Sequence, residues 1–168
     1  MGLLFAAIGA TVVALIEATL APRYINFGGV VPHPVVVGGA IWTIAAGIDR
    51  GIAWAFVGGL VLDSLIGRPL GVSAFSLLVA VGVAALVAQP FPRLRIIAPV
   101  VAVPVCSFVS SLLILALSAA ARPGTSIVDP IGVLIPGVIY DGLIGLFVGP
   151  MAIAMHDRRA ASERLDWQ

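Results

Sequence analysis

Lysine is absent from this 168-residue chain, cysteine occurs once, and charged residues of all kinds make up only 10% of it. Each shortage excludes something. Soluble domains carry about a quarter charged residues, so a soluble globular fold is excluded, and 61% hydrophobic residues spread along the whole length point to an integral membrane protein. A net charge of +1 offers no electrostatic footprint for nucleic acid or for an acidic substrate. The lone cysteine, Cys106, cannot form an internal disulfide or build a metal site by itself, and it reads as a small core residue.

What is present is a series of apolar runs punctuated by Gly, Pro and Arg. A membrane-spanning helix needs about 20 mostly apolar residues. The punctuation divides the chain into six candidates, at 3–21, 31–48, 52–66, 72–88, 96–120 and 131–155. The expected fold is all-α: a polytopic bundle of six transmembrane helices, the third of them short, forming one domain over residues 1–168. The runs do not alternate apolar and polar residues with period two, which argues against a β-barrel. The first run lacks a positive n-region and exceeds a signal's ~7–15-residue apolar core, so it reads as a retained span. Ala6 stands where a myristoylation motif wants Ser or Thr.

With six spans both termini share a side. That side receives Arg50, Arg93, Arg95, Arg158, Arg159 and Arg164, and the other receives Arg23, Arg68 and Arg122. The positive-inside rule places both termini in the cytoplasm, with the Arg50–Gly51 turn on that side and Trp167 in the tail returning to the interface. Pro32 and Pro34 open the second span, where a missing N–H is harmless. Pro99 and Pro104 are expected to bend the fifth.

Several residues stand out against this apolar background. Ala6, Ala10, Ala14 and Ala18 repeat every four residues and line one face of the first helix, a surface for close helix docking within the chain, with another protein or with a second copy. Glu17, beside that seam, reads as an interfacial carboxylate reaching water and pairing with Arg23. The stretch from Asp49 to Ala74 places Asp63 inside apolar sequence, at a cost of roughly 3 kcal/mol for an unsupported acid at a helix centre. Gly59, Asp63 and Gly67 share one helix face. Arg68, Pro69 and Gly71 follow in a tight re-entry turn, with Arg68 as the expected counter-charge and Asp63 as a cap, ion pair or partner contact.

The same spacing returns as Gly137, Asp141 and Gly145, in GVIYDGLIG against GLVLDSLIG. The echo suggests an internal duplication in which helices three and six play related roles, with Asp141 as a paired intramembrane acid. No catalytic arrangement is evident: His33 and His156 are expected on opposite membrane faces, and no serine has a base at a recognisable spacing. Nor does any Gly-rich loop open a phosphate site, or any ligand cluster suggest a metal. No enzyme activity and no cofactor are expected.

The run GGLVLDSLIGRPLGVSA resembles the MreD family of bacterial rod-shape membrane proteins. Gly59, Leu60, Asp63, Gly67, Pro69, Leu70, Gly71 and Ala74 carry the match, preceded by Arg50–Gly51 and a proline-started second span. The chain departs from the family pattern at Val35, after Pro34, and at Glu17, where glutamine is common. The resemblance implies a noncatalytic scaffold in the cytoplasmic (inner) membrane that binds an MreC-like bitopic protein. It also implies association with a RodA-type glycosyltransferase, its transpeptidase and an MreB-type filament, to position peptidoglycan synthesis and maintain cell shape. The family is similar in fold to the substrate-binding subunits of energy-coupling-factor transporters. A vitamin-binding role is therefore the alternative, with the alanine stripe meeting a coupling subunit.

Overall fold

The computed structural model describes residues 2–20, 31–89, 96–121 and 130–165. Helices dominate them: α1 (Gly2–Thr19), α2 (Pro34–Ala46), α3 (Ile48–Ile66), α4 (Val72–Ala88), α5 (Ala98–Ala121) and α6 (Pro130–Leu165). Three carry segments long and apolar enough to cross a membrane, at Gly2–Thr19, Ala98–Ala121 and Leu134–Arg158. Residues 22–30 and 122–129, expected as outer loops, lie outside the described residues, as do Arg23, Arg93, Arg95, Arg122 and Trp167.

The short element is the second helix, where the sequence suggested the third. At 13 residues α2 is about 20 Å long, well under a hydrocarbon core of about 30 Å, whereas α3 has 19 residues. The turn between them also moves. Asp49 and Arg50 read as a charged loop, yet both belong to the first turn of α3. The chain reverses at Gly47, whose φ of 96° suits glycine and whose N–H caps Thr43 of α2. An acid at a helix start is favoured by the macrodipole, so Asp49 helps begin the helix.

Proline positions sort in the same way. Pro99 falls in the first turn of α5, where its missing N–H costs nothing, while Pro104 is interior to α5 and Pro136 and Pro150 are interior to α6. The sixth helix continues past its apolar part as far as Leu165, about 54 Å in all, so the polar segment after Met155 extends the same rod.

The bundle is organised around α2. Valines, glycines and alanines bury it on most sides, and it packs against each of the other five helices. Around it run α1, α3, α4, α5 and α6, each packed on the next. Among the described residues the arc does not close: α1 and α6 share no substantial packing with each other. On α2, Pro34, Gly38 and Trp42 at four-residue spacing stay partly exposed, with Gly38 and Trp42 lying against Trp54 of α3. The outer faces carry exposed Leu4, Phe5, Phe56, Phe75, Phe108 and Phe147, a surface suited to lipid.

Candidate functional site

A helix begins with four N–H groups that have no partner within the helix, and in an apolar interior each must be paired. The two short helices α2 and α4 both start inside the bundle. Acids from other helices meet both starts.

At α4 the acid is Asp63, near the end of α3. Its Oδ2 accepts the N–H of Gly71 at 2.8 Å, and both its oxygens accept the N–H of Ser73, at 2.9 and 3.1 Å. The side chain is fully buried. Gly67, in the left-handed conformation at φ 71°, ends α3, and Gly71 at φ 101° precedes α4. The two glycines fold the chain back so that the carboxylate faces the new helix end. Arg68, expected as the counter-ion, instead donates from Nη1 to Ser73 Oγ at 3.2 Å. The charge of Asp63 is met by backbone N–H groups and by the positive end of the α4 dipole. Pro69 lies in the same turn, its carbonyl accepting the N–H of Val72.

At α2 two acids converge. The N–H of His33 donates to Asp141 Oδ1 at 2.8 Å, across 108 residues of sequence, and the N–H of Val35 donates to Glu17 Oε2 at 2.8 Å. Pro34, between them, has no N–H to satisfy. Val36 and Val37 both donate to the carbonyl of His33, at 3.0 and 3.2 Å, which completes the accounting for the first turn. Asp141 Oδ2 also pairs with His33 Nδ1 at 3.2 Å and accepts the hydroxyl of Ser107 from α5. Glu17 lies within electrostatic range of His33, Asp141 and Arg68. Glu17 is thus buried against the central helix rather than reaching toward water, and its expected partner Arg23 lies outside the described residues.

The two Gly–Asp–Gly runs meet different neighbours. A Cβ on Gly59 would run into the backbone of Ala74, so α3 and α4 touch directly there. In α6 the equivalent closeness is set one and two turns after Asp141, where a Cβ on Gly145 would meet Val103 and one on Gly149 would meet Pro99 of α5. Gly67 ends a helix while Gly145 lies within one, and Asp141 serves α2, so the echo preserves a carboxylate-to-helix-start contact without repeating its surroundings.

The alanine stripe faces inward. Ala6, Ala10 and Ala14 are fully buried, with Ala10 against Gly58 of α3, and only Ala18 remains partly exposed. Beside this seam Trp54 fills the space next to Gly9 and Gly38, stacks on Trp42 at 5.7 Å and donates to the carbonyl of Val35 at 3.0 Å. Sequence reading missed the meeting of Glu17, His33 and Asp141. Its trace was there, in two acids within apolar runs and a helix start, Pro32–His33–Pro34, with no side-chain cap of its own.

A family model, that of rod shape-determining protein MreD, matches residues 2–155. No curated protein and no solved structure matches the chain.

Proposed function

The chain belongs to the rod shape-determining MreD family and so takes part in setting rod shape, and we propose that it does so as a noncatalytic membrane scaffold of the cell-wall elongation complex. In this reading it binds the transmembrane helix of an MreC-like bitopic partner in the cytoplasmic membrane. It thereby helps to position peptidoglycan synthesis by a RodA-type glycosyltransferase and its transpeptidase beside an MreB-type filament. In this reading all six helices lie in the membrane, α2 crossing only part of the hydrocarbon core, with both termini in the cytoplasm.

The observation that carries the reading is how the polar groups are used. Asp63, Asp141 and Glu17, the buried acids of the described residues, are spent on holding helix ends. An acid that accepts backbone N–H groups at a helix start of its own chain serves as a structural part, which suits a protein acting through packing. The incomplete arc supports helix docking. Between α1 and α6, whose described residues share no substantial packing, a partner helix meets an edge of the bundle that no described helix covers.

Co-expression with the MreC-like protein, followed by purification of either in mild detergent, tests the proposal. A stable complex is expected. Two folded proteins that never co-purify would overturn it.

A further inference from the structure

Glu17 and Asp141 stand on the two helices that edge the open side of the bundle, and both reach the same short piece of backbone. One holds the N–H of Val35 and the other the N–H of His33. Since the described residues of α1 and α6 share no substantial packing, the start of α2 is the polar link that they show between these edges. We propose that Glu17 and Asp141 form a clasp that closes the α1–α6 side of the bundle through the N-terminus of α2 and opens as a single unit.

The coupling follows from the chemistry of the first turn. Pro34 supplies no N–H, so the two acids divide the donors that precede the self-satisfied Val36 and Val37. When one acid is lost, its donor remains unpaired in an apolar interior, and moving the helix start toward water is the relaxation open to it. His33 and Val35 are two residues apart on one rigid turn, so that movement also draws the second donor from its acid. Groups facing the clasp set its strength: Ser107 of α5 donates to Asp141, and the His33 ring pairs with it. The cap at Asp63 differs, because it joins α3 to α4 across the tight turn from Gly67 to Gly71 and bridges no open side.

The test uses the full chain alone in lipid nanodiscs, so its result is independent of whether any partner binds. Amide exchange is followed at His33 and Val35, with Gly71 and Ser73 as internal controls. In a Cys106→Ala background, spin labels at Val12→Cys and Leu143→Cys, both exposed, report the distance between α1 and α6. Glu17→Met is expected to speed exchange at His33, and Asp141→Leu at Val35, each by about tenfold or more, as for a lost hydrogen bond to a charged group. A longer interhelical distance should accompany both changes while Gly71 and Ser73 stay protected. Faster exchange confined to the amide bonded to the replaced acid, with the distance unchanged, overturns the proposal. Should either variant fail to fold, Ser107→Ala weakens the hold on Asp141 more gently. Faster exchange at Val35 in that protein supports the clasp, and unchanged exchange there overturns it.

Discussion

Ser73 offers its backbone N–H to both oxygens of Asp63, ten residues earlier in the chain, at 2.9 and 3.1 Å. The neighbouring N–H of Gly71 completes the cap, so a single buried side chain satisfies two donors at the start of α4. Asp63→Ala strands both and is expected to cost about 2–4 kcal/mol. Asp63→Asn keeps one carbonyl oxygen as acceptor while losing the charge, and should cost about half as much. Unfolding of the purified variants in mixed micelles measures the difference. Equal stability of the two variants would remove Asp63 from its capping role.

Arg68 gives the complementary case. It is half-buried and donates to Ser73 Oγ at 3.2 Å, and it does not neutralise Asp63 directly. Arg68→Ala should therefore cost under about 1 kcal/mol, since it removes one donor to the Ser73 hydroxyl oxygen and leaves the cap intact. The same unfolding assay decides it. A loss matching that of Asp63→Ala would mean that the two side chains act as one unit.

The helices were legible in the sequence because apolar runs broken by Gly, Pro and Arg mark them, and Asp63 announced itself as an acid among apolar residues. The boundary between α2 and α3 was misplaced because charge suggested a loop at Asp49 and Arg50. The chain instead turns where glycine tolerates positive φ, at Gly47. The alanine repeat showed that α1 is packed closely, but a repeat cannot say whether the neighbour belongs to the same chain; Gly58 answers that. The joining of Glu17 to Val35 and of Asp141 to His33 was illegible for a physical reason. An acid's partner here is an ordinary backbone N–H, which no residue type marks, and the second pair is separated by 108 residues.

Two glycines on facing helices separate the packing role from mere composition. A Cβ on Gly59 would strike the Ala74 backbone, which cannot turn aside as a side chain could, so Gly59→Ala must push α3 and α4 apart. The expected loss is about 1–3 kcal/mol. Gly82, within α4, has nothing within 4 Å of the equivalent position. Gly82→Ala should be neutral or stabilising by up to about 1 kcal/mol, the helix-propensity difference. Thermal unfolding of both variants measures the contrast, and a similar shift for the two would deny the close α3–α4 contact.

The family match stops at residue 155, whereas α6 runs on to Leu165. Met155, Asp157 and Arg158 are exposed, and the sequence from His156 onward is mostly polar and charged. A helix that projects beyond the apolar region contributes mainly its own propensity, and an isolated end of that length is marginal in water. Ending the chain after Arg158 should therefore change unfolding stability by no more than about 0.5 kcal/mol. Under the proposed scaffold role, co-purification with the MreC-like partner should also survive, because the open side between α1 and α6 is retained. Loss of the complex with stability intact would place part of the docking surface on the projecting end of α6 instead of on the open side between α1 and α6.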